Sequence, residues 1–406
     1  MRDGDFLKFW AGETISDFGD QITLLAIPLT AVIVLHASAF EMGLLAAAGT
    51  LPIALFSLLA GVWVDRALRR RVLVAADIGR AFALATIPIA FVLGVLTLAQ
   101  LYVVAFIAGT LSVFFVVAYQ AYLPSLVARE QLIVANGRMN ASSSLAQLAG
   151  PSVAGVLVQV FTAPMPVVVD ALSFLASVAG IVSIRRHEPP PVPRARDLRK
   201  EIAEGMSALM GHPTLRALVL GNSVIILCYS AQLAIFLLFL SRDVGLDPSV
   251  IGVMLAIGGA GSLLGALFAG RIATWLGLGP TFLWAAAVAT LAFTVRAAFI
   301  EPHELAIAAI ATGQFVALFC ASLFNVNGPS LRQAMTPPHL LGRVNASYRF
   351  VVWGTGPVGA FIGGVLAQSL GAQSALLIAG VGFLGAFPIY LWSPLPRMRT
   401  LPARPA

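Results

Sequence analysis

Charge is what this sequence has least of. Only 11% of its 406 residues are Asp, Glu, Lys or Arg, against about 25% in a soluble domain. Eighteen acidic and 25 basic side chains cannot cover the wetted surface of a soluble protein this long, which excludes a soluble enzyme or binding module. Lysine is nearly missing, with Lys8 and Lys200 the two examples. Cysteine is limited to Cys228 and Cys320, each inside an apolar run, so neither a disulfide framework nor a cysteine metal site is expected. The histidines (His36, His187, His212, His303, His339) sit in or near loops without ligand spacing, and no metal is expected. Gly380-Val381-Gly382-Phe383-Leu384-Gly385 spells a dinucleotide fingerprint, but it lies within an apolar run with no preceding strand. No phosphate-binding loop is visible, so a nucleotide is not an expected partner; no other cofactor is expected, and the basic charge is read as topology and lipid contact, not nucleic-acid binding. The polar start, Met1 to Asp5, is read as no removable signal peptide.

What is abundant is apolar length. Hydrophobic residues make up 59% and the mean hydropathy is +0.92. Apolar runs lie at 9–35, 42–64, 72–96, 101–123, 141–162, 166–184, 217–240, 249–269, 280–300, 304–324, 350–370 and 374–393. A spanning helix needs about 20 residues, and in lipid only helices or closed barrels satisfy the backbone. No strand-like alternation is present, so the expectation is an all-α integral membrane protein of twelve transmembrane helices. Basic residues mark one side of it. Arg66, Arg69, Arg70 and Arg71 follow the second run, and Arg129 and Arg138 the fourth. Arg185, Arg186, Arg194, Arg196, Arg199 and Lys200 follow the sixth, Arg271 the eighth, and Arg332 and Arg343 the tenth; Arg397, Arg399 and Arg404 come last. The opposite loops clearly carry only Arg242, so both termini are expected in the cytoplasm. The net charge of +7 then reports topology and contact with anionic membrane lipids.

The chain also repeats itself. Pro124-Ser125-Leu126 followed by Gly137-Arg138-Met139-Asn140-Ala141-Ser142 recurs as Pro329-Ser330-Leu331 and Gly342-Arg343-Val344-Asn345-Ala346-Ser347, at one constant offset of 205 residues. Both copies fall on the same side, so the halves are parallel repeats, an arrangement of proteins that rock two bundles about a central site. The expected organisation is a six-helix bundle over 1–184, a cytoplasmic linker over 185–213 and a second six-helix bundle over 214–406. Within the linker, Pro189-Pro190-Pro191 breaks any helix. Residues 197–211 read as a short amphipathic helix with Leu198, Ile202, Met206 and Leu209 on one stripe, placed at the membrane surface.

These residues resemble the major facilitator superfamily. Gly61-Val62-Trp63-Val64-Asp65-Arg66 followed by Arg69-Arg70-Arg71 is similar to its signature between helices two and three; the second half keeps Arg271 but has Gly270 in place of the Asp. Ala146, Gly150, Pro151, Ala154 and Gly155 resemble the antiporter motif of helix five, with Ala146 and Ala154 departing from glycine. Gly12, Ile15-Ser16 and Gly19-Asp20, with Asp77 and Arg80, resemble the branch of macrolide and enterobactin exporters. The resemblance implies that fold, a small-molecule substrate, export against protons, and a bacterial cytoplasmic membrane, to which the Arg, Ala, Gly and Pro bias also points. It places helices one, four, seven and ten around the cavity. Proton exchange is implied only, because the helix-four Arg of many proton-driven relatives is missing from 101–123. An uncoupled facilitator, a lipid mover and a transporter-derived receptor stay open. A monomer is expected, and an enzyme is not, since no nucleophile or metal set lies at depth.

An ionisable group inside the membrane marks function by default. Glu13, Asp17 and Asp20 stand at i, i+4 and i+7, on one helix face. Burial and like charge both favour a protonated carboxyl, so Asp20, helped by Asp17, is expected to couple protons, with Glu13 alternatively an entrance charge. Asp77 and Arg80 at i, i+3 either neutralise each other or, with Asp65 and Arg66, form an ion-pair latch; Gly61, Arg70, Gly150, Pro151 and Gly155 complete the conformational set. Candidate substrate contacts are Tyr119, Gln120, Asn222, Tyr229, Gln232, Gln314, Asn325, Arg349 and Trp353. Arg296 is expected to snorkel to the interface.

Overall fold

A computed structural model describes residues 4–128, 131–186, 188, 198–301 and 303–400, with the side chains at 62, 65, 198 and 199 outside the described set. Arg129, His187, Pro189, Pro190, Pro191, Arg194, Arg196 and Arg404, and the side chains of Asp65, Leu198 and Arg199, therefore lie outside it. Every regular element among the described residues is helical.

The helices follow the apolar runs. α1 (Gly4–Leu29) ends in a π turn (Thr30–Val34); α2 (Ala39–Arg66), α3 (Arg69–Val92), α4 (Leu98–Leu126), α5 (Leu132–Phe161) and α6 (Val167–Val182) complete the first set. α7 (Leu198–Gly211) precedes α8 (Pro213–Leu238), which ends in a second π turn (Phe239–Asp243). Then come α9 (Pro248–Leu276), α10 (Leu278–Val295), α11 (His303–Met335), α12 (Leu341–Gly354), α13 (Gly356–Leu370), α14 (Ala372–Gly382) and α15 (Ala386–Leu391). Eleven spans among the described residues are long and apolar enough to cross a membrane, and α6, over the sixth of the twelve runs, is a shorter apolar helix. Local signals set their ends. Ser38 and Glu41 form a capping box at α2, and Thr97 caps α4 through the Gln100 N–H. Gly277 and Gly371, at φ 93° and 85°, precede α10 and α14, where a side chain would be strained.

The chain forms two compact units: one of Met1–Arg194 with Leu246–Ala256, the other of Ala195–Gly245 with Ile257–Ala406. In the first, α1 packs on α5 and α6, and α3 on α4 and α6. Where α1 begins, Asp5 accepts from the backbone N–H of Arg185 and Arg186, and Lys8 donates to Ser183 O at 2.8 Å. Glu188 accepts from the N–H groups of Arg69 and Arg70 at 2.9 and 3.0 Å, so a carboxylate from beyond α6 satisfies the open first turn of α3. Arg70 also donates to Val182 O at 2.7 Å. The basic run is thus a tie between α3 and α6 as well as a row of charges. The same unit contains the first turns of α9, against which α5 sets its small residues. A Cβ on Gly155 would strike Pro248 O, and one on Gly252 would strike Pro151 O. Gly150 lies against Gln21 of α1, whereas Gly61 has open space around it.

In the second unit α8 packs on α13, α14 and α15, and α10 on α11 and α14. α7 docks on α12: Leu209 is fully buried in the core, Glu204 pairs with Arg343, and Gly205 meets the Arg343 backbone. Of its apolar stripe, Leu209 is thus covered by protein, while Ile202 and Met206 are half-buried. The two copies of the repeat have diverged in use. Ser142 accepts from Trp10 Nε1 at 2.8 Å, while Arg343 holds α7 and Asn345 accepts from Arg332 Nε at 2.6 Å.

Candidate functional site

The first unit carries its acids on facing helices. Glu13, Asp17 and Asp20 lie along α1, Asp77 on α3 and Asp170 on α6. Glycine brings α1 and α6 together. A Cβ on Gly12 would come within 3.0 Å of Ser177 Cα, and one on Gly19 would overlap Ser173 Oγ and Asp170 Oδ1. Along this seam Ser177 Oγ donates to Glu13 Oε1 at 3.1 Å, and Ser173 Oγ donates to Asp170 Oδ1 at 3.0 Å. Glu13 is buried, Asp17 half-buried and Asp20 exposed.

One cation acts on this group. Arg80 bonds Asp77, its guanidinium lying 4.3 Å from the Phe115 ring centroid and 4.1 Å from that of Phe174. Asp77 is 0% and Arg80 4% exposed. The charges of both reach Glu13 and Asp20; Asp20 in turn acts on Asp17 and Asp170. Four carboxyls, Glu13, Asp20, Asp77 and Asp170, thus share the Arg80 guanidinium, and Asp17 is linked to them through Asp20. Tyr119 of α4 joins them, close enough to feel Glu13 and Asp17 and stacked on Phe9 at 5.6 Å. The pairing of Asp77 with Arg80 is as its spacing predicted. The pair also acts on Glu13 and Asp20 of α1; Arg66 is exposed, and the Asp65 side chain lies outside the described residues.

Asp170 is the residue that sequence reasoning passed over. Its signal was present, since Asp170, Ser173 and Ser177 stand at i, i+3 and i+7 and so repeat on α6 the one-face spacing of the acids on α1.

The second unit places its polar residues differently. Arg296 does not snorkel. It is 3% exposed, donating to Gln314 Oε1 and to Gln232 Oε1, with its guanidinium 4.0 Å from the Phe236 ring centroid and 4.6 Å from that of Phe293. Two aromatic faces and two amide oxygens replace the solvent it would otherwise seek. Gln232 is fully buried, and its amide donates to Leu376 O at 2.8 Å. Gln232 and Gln314 are therefore engaged by Arg296. Tyr229 packs edge-on against Phe293. Asn222 donates to Tyr348 Oη and accepts from Tyr390 Oη at 2.8 Å, joining α8, α12 and α15. Gln120, Asn325 and Trp353 are exposed, and Arg349 is half-buried.

The model of the transmembrane secretion effector family matches residues 1–405. The chain belongs to that family. It is a multi-pass membrane transporter of the major facilitator type and not an enzyme, as the resemblance implied. The multidrug efflux pump Tap of Mycolicibacterium fortuitum is 28% identical over 397 residues, covering 94% of this chain and 93% of that protein. The macrolide efflux protein A of Streptococcus pyogenes is 24% identical over 386 residues, 92% of each. The fold is shared with two solved transporters. A bacterial homologue of the iron transporter ferroportin, inward-facing, superposes with a TM-score of 0.73 at 16% identity, over 95% of this chain and 98% of that one. The nucleoside transporter NupG gives 0.72 at 12% identity, over 95% and 98%.

Proposed function

We propose that this transporter exports small amphipathic, drug-like or siderophore-like compounds from the bacterial cytoplasm by alternating access, in exchange for protons. Both termini face the cytoplasm, and the two bundles, 1–184 and 214–406, work as a monomer. The observation that carries the reading is the linked set of carboxyls in the first unit, four of them acted on by one guanidinium and the fifth, Asp17, by Asp20. So many buried and neighbouring acids cannot all be ionised beside a single cation; some hold protons, and a change of surroundings releases them. Asp20, exposed on α1, is the carboxyl that meets water first, with Asp17 beside it. Efflux relatives that handle drugs and macrolides support export as the direction. Of the candidate substrate contacts, Gln120, Asn325 and Trp353 are exposed and Tyr119, Asn222, Tyr229 and Arg349 half-buried, so each keeps surface that a substrate can touch.

Proteoliposomes with an entrapped pH dye test this. Addition of a transported macrolide or dye should move protons, and Asp20→Asn should abolish that movement while substrate binding persists. Substrate movement by the wild type with no proton movement would replace exchange with facilitated diffusion.

A further inference from the structure

Asp170 is the most enclosed acid of the cluster. It is 0% exposed, and while Oδ1 accepts from Ser173 Oγ, Oδ2 has no hydrogen-bond partner among the described residues. An ionised carboxylate presents about four lone-pair sites, all of them acceptors, and a buried charge persists only when paired. The one guanidinium acting on it, Arg80, is bonded to Asp77. The other groups acting on Asp170 are acidic or neutral, Asp20 and Thr23 of α1 and Ser173 of its own helix; Glu13 and Asp17 stand farther along α1, and Asp77 on α3. The Thr23 hydroxyl, which acts on Asp170, is likewise buried without a hydrogen bond. A protonated carboxyl fits these surroundings, with its C=O at Ser173 and its O–H on Oδ2 turned toward Thr23. A metal ion fits poorly, because it needs a shell of several oxygens, and Gly19 comes so close that a single added methyl would overlap Asp170 Oδ1.

We propose that Asp170 is a second proton carrier of the transport cycle, enclosed by the α1–α6 seam at Gly19 and discharged when that seam opens. On opening, water reaches Oδ2 and takes its proton, leaving a carboxylate held by the Ser173 and Thr23 hydroxyls; closing requires that a proton return. Asp20, already exposed, exchanges without this gate. The proposal rests on the proton-exchange reading, and its test is built to separate the two.

Infrared difference spectra of the purified full-length protein, recorded with and without substrate, read the carbonyl stretch of protonated carboxyls directly. Asp170→Asn is expected to remove one such band while thermal stability is kept, because the amide matches the neutral carboxyl in shape. Ser173→Ala is expected to shift the band to higher frequency by removing the donor on Oδ1, and it serves in place of Asp170→Asn if that variant does not fold. The band should weaken when substrate is added at constant pH. In proteoliposomes Asp170→Asn should move fewer protons per substrate than the wild type. A band that Asp170→Asn leaves in place, one that ignores substrate, or one that sodium removes at constant pH overturns the proposal, as does unchanged proton movement by Asp170→Asn. A wild type that moves substrate without protons sinks the exchange reading by itself, whereas the band still reports whether Asp170 is protonated.

Discussion

The two units solve the problem of buried charge in opposite ways. The first holds acids in excess: Glu13, Asp17, Asp20, Asp77 and Asp170 around Arg80. The second holds Arg296 against Gln232, Gln314 and two phenylalanine rings, with no carboxylate bonded to it among the described residues. A guanidinium does not deprotonate in proteins, so the second arrangement stays fixed in charge whatever the pH. Carboxyls change charge with their surroundings, so the first can be altered by a proton or by a shift of helices. Under the proposed proton exchange, the first unit carries the proton chemistry and Arg296 serves as a permanently charged post.

Breaking the ion pair of the first unit should have the largest effect. Asp77→Ala removes the one carboxylate bonded to the buried Arg80 and should cost up to about 3–5 kcal/mol, read as a fall in thermal unfolding temperature; pairing it with Arg80→Met should recover much of the loss. Next comes Gly19→Ala, whose methyl overlaps Ser173 Oγ and Asp170 Oδ1. It should cost about 1–3 kcal/mol through overpacking and slow transport by wedging α1 from α6. Arg296→Met keeps contact with Phe236 and Phe293 but strips the donors from two amide oxygens. A loss near the lower end of about 1–3 kcal/mol is expected, with protons moved per substrate unchanged; a changed proton count would erase the contrast between the units. Glu188→Gln weakens the anionic cap on α3 and should cost about 1 kcal/mol. Trp353→Ala, at a side chain 44% exposed, should leave stability within about 0.5 kcal/mol while lowering resistance to transported compounds in whole cells.

The fold was largely legible because its signals are long and redundant. Runs of apolar residues, bounded by caps such as Ser38 and Thr97, mark helices through length alone. The word shared by 124–142 and 329–347 shows the duplication without any three-dimensional knowledge. The site was legible only on the helix where acids stand out. Glu13, Asp17 and Asp20 share a face of α1, and that periodicity can be counted. Asp170 escaped because its partners are one small hydroxyl on its own helix, Ser173, and Thr23 and Gly19 of α1, the glycine 151 positions away, contacts that no local spacing announces. Arg296 was misplaced for a related reason. It stands just past α10, near a helix end where snorkelling is the default, and the amides that hold it come from α8 and α11. Gln232 and Gln314 looked like substrate contacts because a polar residue in an apolar run carries no mark of whether it faces a ligand or a neighbouring side chain.

The π turns that end α1 and α8 (Thr30–Val34 and Phe239–Asp243) carry a consequence for the length of the chain. Together with their α-helical parts they make two spans of 31 residues each, Gly4–Val34 and Pro213–Asp243. A π turn accommodates one residue more than an α turn, while an ordinary helix rotates every later side chain by about 100° when a residue is lost. A single-residue deletion inside either turn can be absorbed by relaxation to α-helix. The residues beyond it then keep their facing, so these two short stretches are where the first helix of each half can shorten without being re-aimed.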